Sequence, residues 1–238
     1  MTDYPLPNTS EDLTGQVALV TGTTSGLGRR FAQVLASCGA KVAITGRRVE
    51  RLEALAEELR ATGAEVEPIA VDMRDSDAIV ACVEQAEAAL GTVTILVNNA
   101  GIPDAQRAHK MDNQLIDDVF DTNLRGPYVL SCEVARRLIA AELPGRMVNI
   151  SSVGAFNYAG QGAALYSITK AGIIRMTEAL AVEWARYNIN VNAIAPGAFA
   201  SEMMDGMLER MGDISKMFPR KRICDPAQMD STLLYLVS

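Results

Sequence analysis

The chain has 238 residues, 49% of them hydrophobic and 21% charged, which suits one globular domain with a large buried core. Its formal net charge of −7 would repel a phosphate backbone, so no nucleic-acid partner is expected. Residues 1–13 contain acids and prolines but no apolar core, so we expect an N-terminal extension that is neither a signal peptide nor a membrane span.

The four cysteines have neither a CxxC pair nor the spacing of metal ligands. We interpret them as structural thiols in a protein of the reducing cytoplasm. The single histidine, His109, has no partners in the pattern and is assigned no role. No cluster of histidines and acids predicts a metal site, so we expect none.

Short apolar runs alternate with longer stretches of helical periodicity along the chain. Predicted strands lie at 16–20, 41–45, 65–71, 93–97, 146–151 and 188–195, and predicted helices at 29–38, 48–62, 76–90, 112–141 and 164–187. The strands are apolar throughout rather than alternating, which is typical of a parallel sheet covered by helices on both faces. The pattern predicts an α/β fold with a doubly wound parallel sheet, a Rossmann fold, in a single domain over 14–238.

Ligands of such sheets bind beyond the carboxyl ends of the strands, and a glycine-rich loop follows the first strand there. Its candidate cofactor residues are Gly22, Thr24, Ser25, Gly26, Leu27 and Gly28. Glycines permit close backbone approach, and the N-terminus of the following helix favours a pyrophosphate. The spacing is GxxxGxG rather than GxGxxG, and an ordinary strand-to-helix turn is the alternative.

Two arginines, Arg47 and Arg48, follow the second strand, where an NAD site would usually carry an acid. Arg47 can pair with a 2′-phosphate, so we favour NADP as the cofactor, with NAD possible. The alternative is that both arginines only solvate a helix start. Positive charge is unfavourable at a helix N-terminus, and this favours a bound anion.

Polar residues also follow the fourth and fifth strands, as Asn98–Gly101 and as Ser151 and Ser152. Tyr166 lies fourteen residues beyond Ser152, and Lys170 follows four residues later. On a helix this spacing places phenol and ammonium on one face, where the positive charge would lower the pKa of the tyrosine. Taken alone, however, a YxxxK pair is more often a structural surface pair, because such pairs are common by chance.

The glycine loop, NNAG, Asn123 in DTNLRG, Ser152, YSITK and Pro196-Gly197 occur in a fixed order, each after its predicted strand. Together they resemble the short-chain dehydrogenase/reductase family in its single-domain branch, over residues 14–238. The resemblance implies a nicotinamide-dependent oxidoreductase that interconverts a carbonyl and a secondary alcohol.

The resemblance also implies four catalytic residues, Asn123, Ser152, Tyr166 and Lys170. Tyr166 would be the general acid in reduction and the general base in oxidation, and Ser152 would polarise the substrate oxygen. Lys170 would lower the tyrosine pKa and hold the nicotinamide ribose. Asn123 would position a water that passes protons to Lys170.

Further cofactor contacts are implied on the same ground, and Tyr166 and Lys170 belong to this set as well. Asp72 and Met73 would lie beside the adenine. The remaining implied contacts are Asn99, Ala100, Gly101, Pro196, Gly197 and Ser201. Ser201 stands where the family usually has threonine, and it retains the hydroxyl.

The family's mobile substrate lid corresponds to about 198–218, a methionine-rich segment. Flexible thioethers adapt to apolar shapes, so a hydrophobic ketone or a 3-oxoacyl-type substrate is expected, although helix packing alone would also explain the methionines. Besides Ser152 and Tyr166, the expected substrate neighbours are Val153, Phe156, Tyr158, Gln161, Met203, Met204 and Met207.

Two departures from the family pattern bear on these expectations. The segment between Ser152 and Tyr166 is one residue longer than the commonest form, so the substrate loop can differ in shape. The sequence ends at Ser238, where relatives continue into a final edge strand. A homo-oligomer, tetramer or dimer, is expected, but ending here would weaken the usual tetramer contact.

Two rival functions share part of this pattern. A sugar-nucleotide epimerase or dehydratase has the same Tyr-Lys pair but needs a larger C-terminal substrate domain than this sequence contains. A non-catalytic NADP-sensing or scaffold protein would have no need for the complete set of Asn123, Ser152, Tyr166 and Lys170. Turnover that is lost in Tyr166→Phe would separate an enzyme from a sensor.

Overall fold

A computed structural model describes residues 10–158, 160 and 162–238. Its centre is a six-stranded, fully parallel sheet in the order β3-β2-β1-β4-β5-β6. The strands are β1 (Val17–Thr21), β2 (Lys41–Gly46), β3 (Val66–Ala70), β4 (Ile95–Asn98), β5 (Gly145–Ile150) and β6 (Ile189–Ile194). The predicted doubly wound Rossmann fold is confirmed.

The described residues also form eight α-helices. They are α1 (Gly26–Ser37), α2 (Val49–Arg60), α3 (Ser76–Leu90), α4 (Asn113–Phe120), α5 (Gly126–Ala140), α6 (Ala164–Trp184), α7 (Glu202–Met211) and α8 (Asp230–Val237). Ala18 and Val20 of β1 pack in the core with α1, α2 and α8, whereas Val17 and Leu19 pack with α3, α5 and α6. Both faces of the sheet are therefore buried, which explains the apolar strands.

The strand order reverses at β1, which pairs with β2 on one side and with β4 on the other. The connection that leaves β1 leads to β2 on one side, and the connection that leaves β4 leads to β5 on the other side. A crevice opens beyond the carboxyl ends of these two strands, because no helix crosses directly between them. The topology alone thus locates the ligand site between the β1 and β4 loops.

Two predicted helices are not regular over their full length. The helix expected at 112–141 is interrupted by a π-helical turn at Asp121–Arg125. Pro127 has no N–H to donate to the carbonyl of Asn123, so the regular hydrogen-bond ladder cannot continue there. The helix expected at 164–187 ends as α6 at Trp184 and continues as a 3₁₀ turn to Tyr187, where Asn188 adopts the left-handed conformation with φ 58°.

Within the part of the chain that the structure describes, no helix combines the length and apolar character required to cross a membrane.

Candidate active site

A cavity of about 920 Å³ lies beyond the carboxyl ends of the strands. Its wall combines the β1, β2, β4 and β5 loops with the start of α6 and the inner side of α7. The predicted site residues that line it are Gly22, Thr24, Ser25, Gly26, Leu27, Arg47, Arg48, Asp72, Met73, Asn99, Ala100, Gly101, Ser152, Val153, Tyr158, Tyr166, Lys170, Pro196, Gly197, Ser201, Met203, Met204 and Met207. The structure therefore brings most of the predicted cofactor and substrate residues together.

Three of the predicted site residues that the structure describes are not part of this wall. Gly28 is buried beneath the glycine loop, and Asn123 lies fully buried behind Gly101 and Ile102. Phe156 is 67% exposed and does not line the cavity, although Val153 before it and Tyr158 after it do. Gln161 lies outside the residues that the structure describes.

The glycine loop brings the backbone of β1 close to that of β4. Gly22 has a φ of +70°, and a Cβ there would lie 2.9 Å from the Cα of Ala100. A Cβ on Gly28 would lie 2.2 Å from the carbonyl oxygen of Gly22. Gly28 therefore serves the packing of α1 under the loop rather than direct contact with a ligand. The free N–H groups at the start of α1 remain directed towards the cavity.

Thr21 fixes the β4 loop to the end of β1. Its hydroxyl oxygen accepts hydrogen bonds from the backbone N–H of Asn99 at 2.9 Å and of Ala100 at 3.0 Å. The side-chain amide of Asn99 donates back to the carbonyl oxygen of Thr21 at 2.9 Å. These reciprocal bonds hold the two loops that flank the crevice at a constant separation.

Positive charge surrounds the opening beside β2. Arg47 and Arg48 are exposed, and Arg48 donates to the hydroxyl of Thr24. Arg48 also pairs with Glu202 at 2.8 Å, and Arg51 of α2 pairs with the other oxygen of the same carboxylate. Glu202 is the first residue of α7, so these ion pairs join the lid helix to the cofactor side of the cavity.

Asp72 lies at the far end of this opening. It pairs with Arg74 at 2.7 Å, and Arg74 also binds Asp118 at 2.7 Å. Hydrogen bonds from Arg74 hold the pKa of Asp72 below its ordinary value, and the charge of Arg47 contributes to the same shift. The carboxylate is therefore ionised and already oriented at neutral pH.

Tyr166 and Lys170 lie at the start of α6, on one face of the helix as the spacing predicts. The ammonium nitrogen of Lys170 is 5.6 Å from the centroid of the Tyr166 ring. It donates to the carbonyl oxygen of Ile150 at 2.8 Å, and the hydroxyl of Ser151 donates to the carbonyl oxygen of Lys170 at 2.8 Å. The end of β5 thus holds the lysine at both its side chain and its backbone.

The ionisation of this pair differs from the predicted lowering of the tyrosine pKa. Desolvation raises the pKa of Tyr166 above its ordinary value, and Asp104 adds to the rise, whereas a hydrogen bond with Ser152 opposes it. Burial lowers the pKa of Lys170 to about 8. Both shifts disfavour the charged form, because Lys170 is buried and Tyr166 is half-buried.

Asn123 lies in the π-helical turn, where its side chain is buried. Its carbonyl oxygen accepts from the backbone N–H of Ile102 at 2.8 Å, and its amide donates to the carbonyl oxygen of Ile102 at 2.9 Å. A Cβ on Gly101 would lie 3.4 Å from this carbonyl oxygen and 3.5 Å from the nitrogen of Lys170. Asn123 thus fixes the loop beside Lys170, and its expected role in proton passage stays a prediction.

Sequence reasoning missed Asp104, a buried carboxylate in the cavity wall. It accepts hydrogen bonds from the backbone N–H groups of Leu165 at 2.9 Å and of Tyr166 at 3.2 Å. No local pattern could have indicated this, because donors and acceptor lie 61 and 62 positions apart in the chain. Further unpredicted lining residues include Ile102, Pro103, Ala105, Thr122, Asn157, Arg210 and Ile214.

The lid helix α7 has a different character from α6. Ser201 caps it by accepting from the backbone N–H of Met204 at 3.2 Å, and none of its residues is buried. Met203, Met204 and Met207 line the cavity from one side. The predicted lid is therefore an amphipathic helix whose thioethers face the cavity without being packed in a core.

The residues present fit a dinucleotide. The hydroxyl oxygens of Thr45 and Thr122 are buried without a partner among the described residues, and both threonines line the cavity. The glycine loop, the start of α1 and the arginines beside β2 provide donors and positive charge for phosphates. Among the residues that the structure describes, no group of three or more His, Cys, Asp or Glu side chains could hold a metal ion.

A doubly wound sheet with a glycine loop, an arginine-rich opening and a tyrosine beside a buried lysine defines a nicotinamide-dependent oxidoreductase. The family model for short chain dehydrogenases matches residues 16–211. The chain belongs to this family and is an NAD(P)-dependent oxidoreductase, as the sequence motifs predicted.

Curated relatives and solved structures refine this assignment. The chain is 37% identical over 227 residues to acetoacetyl-CoA reductase from Acinetobacter sp. (strain RA3849), covering 94% of this chain and 90% of the relative. It is 36% identical over 225 residues to 3-oxoacyl-[acyl-carrier-protein] reductase FabG from Staphylococcus aureus, covering 93% and 90%. A variant of actinorhodin polyketide ketoreductase, solved with NADPH, matches with a TM-score of 0.89 and 32% identity, covering 97% and 92%.

Proposed function

We propose that this enzyme uses NADPH to reduce the ketone of a hydrophobic, 3-oxoacyl-type substrate to a secondary alcohol. The observation that carries the proposal is the placement of Tyr166 and Lys170 in the same cavity as the glycine loop and the lid methionines. The names of the relatives, reductases of 3-oxoacyl and acetoacetyl thioesters, support a 3-oxoacyl substrate.

Tyr166 acts as the proton donor in this reaction. Desolvation and Asp104 keep the pKa of its phenol above the ordinary value, so the phenol is protonated at neutral pH, which is the form a general acid requires. Ser152 lies beside it in the cavity wall and donates a hydrogen bond to the ketone oxygen, where negative charge develops. Lys170, whose pKa is about 8, can restore the proton near neutrality.

The cofactor supplies the hydride when it is bound. The residues that would hold it are the glycine loop with the start of α1, the β4 loop residues Asn99–Gly101, and Pro196 and Gly197 beyond β6. Arg47 and Arg48 lie at the end of β2, where a 2′-phosphate would make charge-assisted hydrogen bonds. The acid that would bind the ribose hydroxyls of NAD is lacking at this position, so NADPH is preferred.

The lid determines which ketones enter. Met203, Met204 and Met207 present unbranched side chains that repack around apolar groups, and Tyr158 and Val153 line the same cavity. An acyl chain or another bulky apolar group beside the ketone would bury surface against these residues. Steroid and aryl ketones share this apolar character and belong in the test.

The experiment follows the absorbance of NADPH and, separately, of NADH with acetoacetyl and longer 3-oxoacyl thioesters, steroids and aryl ketones. Wild type is compared with Tyr166→Phe and with Tyr235→Phe, a matched removal of a phenol that is 73% exposed on α8. We expect Tyr166→Phe to reduce kcat by roughly 10²–10⁴-fold, the usual contribution of a general acid. Tyr235→Phe should match wild type.

Binding of NADPH without turnover of any ketone would contradict the proposed function and favour a cofactor-sensing protein. Equal activity of wild type and Tyr166→Phe would contradict the role of the phenol. Activity on steroids or aryl ketones with none on thioesters would support ketone reduction but contradict the proposal of a 3-oxoacyl substrate.

A further inference from the structure

Asp104 is a buried carboxylate whose hydrogen bonds have no part in the roles described above. It lies in the β4 loop, three residues beyond Gly101, and is only 3% exposed. A buried carboxylate is costly unless hydrogen bonds compensate the lost hydration. The groups that donate hydrogen bonds to Asp104 therefore indicate why a carboxylate is buried at this position.

Both oxygens of Asp104 accept hydrogen bonds from backbone N–H groups. One oxygen accepts from Ala105 at 2.9 Å, which anchors the side chain in its own loop. The other accepts from Leu165 at 2.9 Å and from Tyr166 at 3.2 Å, in the first turn of α6. Its negative charge thus lies at the positive end of the helix dipole.

The start of α6 has no cap of its own. Ala163 occupies the N-cap position and offers no side-chain hydrogen bond. Asp104 provides the cap from another loop, in the way that local Ser, Thr, Asp or Asn residues cap most helices. One of the two capped groups is the backbone N–H of Tyr166 itself, so the cap holds the catalytic residue directly.

We propose that Asp104 is a positioning residue for Tyr166, whose buried carboxylate joins the catalytic helix to the cofactor loop and places a negative charge at the start of that helix. This inference rests on the proposed function. The carboxylate is fixed three residues after Gly101, so it sets the distance between the loop that carries the cofactor and the phenol that donates the proton. Small displacements between reacting groups are costly to rate.

The charge of Asp104 gives this role a distinctive pH dependence. Among the described residues, Ser152 of the β5 loop forms a hydrogen bond with the phenol of Tyr166, and Asp104 of the β4 loop acts on it through its charge. The ammonium nitrogen of Lys170, on α6 itself, lies 5.6 Å from the centroid of the ring. Asp104 raises the tyrosine pKa and the hydrogen bond with Ser152 lowers it. Neutralising Asp104 therefore lowers the pKa of Tyr166, and a purely structural cap would not move it.

The experiment compares Asp104→Asn, which keeps an acceptor oxygen without the charge, with Asp104→Ala, which removes both. Reduction requires the protonated phenol and declines as pH rises through its pKa. In Asp104→Asn this decline should begin at a lower pH than in wild type, and the rise of alcohol oxidation with pH should move in the same direction. Asp104→Ala should also lose roughly 10-fold or more in kcat, with the KM for NADPH changed by less than about twofold.

Asp75→Asn is the matched control. Asp75 caps α3 in the same way, accepting from the backbone N–H groups of Asp77 at 2.9 Å and Ala78 at 3.1 Å, but it is exposed and outside the cavity wall. Its substitution should leave the pH profile of wild type intact. If Asp104→Asn lowers activity but keeps the wild-type profile, as a merely structural cap would, the proposal is overturned.

A second readout does not depend on turnover. The phenolate absorbance of Tyr166, taken as the difference between a protein and its Tyr166→Phe counterpart, reports the phenol pKa directly. This pKa should be lower in Asp104→Asn than in wild type, even if no ketone is reduced and the proposed function fails. Asp104→Ser, which keeps a capping hydroxyl, replaces Asp104→Asn if the latter does not fold. An unchanged phenol pKa in the folded variant contradicts the proposal.

Discussion

The centre and the rim of the cavity use charge in opposite ways. The centre consists of Tyr166, Lys170 and Asp104, where Lys170 is 4% and Asp104 3% exposed. The rim consists of Arg47, Arg48, Arg51 and Glu202, where the Arg48–Glu202 pair has side-chain exposures of 42% and 47%. Burial shifts the pKa values of Tyr166 and Lys170, whereas water and salt screen the rim.

From this difference we infer that the centre governs the chemical step and the rim governs the choice of cofactor. Groups in the centre are held by backbone hydrogen bonds of β5 and of the β4 loop, so their geometry is set by the packed core. Rim groups are held by ion pairs between exposed side chains, which are individually weak. We therefore expect substitutions in the centre to act on kcat independently of salt, and substitutions on the rim to act on cofactor affinity and to weaken in salt.

The largest effect is expected for Lys170→Met, which keeps the length of the side chain and removes its charge. kcat should fall by roughly 10²–10⁴-fold, because the group that restores the proton of Tyr166 is lost. Steady-state kinetics at low and high salt measure it. A loss of kcat that disappears in high salt would show that Lys170 behaves like the exposed charges of the rim. It would contradict the distinction drawn here between the centre and the rim.

The same variant tests the burial of the ammonium through its effect on stability. The pKa of Lys170 is about 8 in the folded protein and 10.5 for an ordinary lysine, so the unfolded chain binds more protons between these values. The free energy of unfolding of wild type should therefore rise relative to Lys170→Met as pH increases from about 8 to 10.5. Denaturant unfolding at both ends of this range measures it, and a constant difference would contradict the desolvation.

An intermediate effect is expected for Arg47→Ala on the rim. Loss of a charge-assisted hydrogen bond to the 2′-phosphate should weaken NADPH by roughly 10- to 100-fold and leave NADH nearly unchanged. Titrations of both cofactors at two salt concentrations measure this, with Arg175→Ala, an 81% exposed arginine on α6, as the matched control. Equal losses for NADPH and NADH would contradict recognition of the 2′-phosphate.

The smallest effect is expected for Glu202→Gln. This change releases Arg48 and Arg51 from a carboxylate that would compete with a 2′-phosphate, so NADPH should bind roughly two- to fivefold more tightly. The gain should vanish in high salt. Cofactor titration measures it, and weaker NADPH binding would instead show that Glu202 orients the arginines for the cofactor.

Sequence reasoning reached the fold and most of the cavity wall because both depend on local patterns. Apolar strand runs and helical periodicity report burial directly, and the glycine loop follows its strand without interruption. The position of Phe156 outside the cavity was not predictable, because no local pattern records which side chains of the β5 loop face solvent and which line the cavity. The oligomeric state, the boundary at residue 13 and the catalytic roles stay predictions.

The sequence by itself determined the doubly wound sheet, the family and the set of loops that surround the site, because these follow from periodicity and from motifs within a few residues. Only the tertiary structure decided the environment of those residues. The cap that Asp104 places on α6 spans 61 positions, and the ion pair from Arg48 to Glu202 spans 154. Burial and long-range contacts set charge, orientation and pKa, and no local pattern records them.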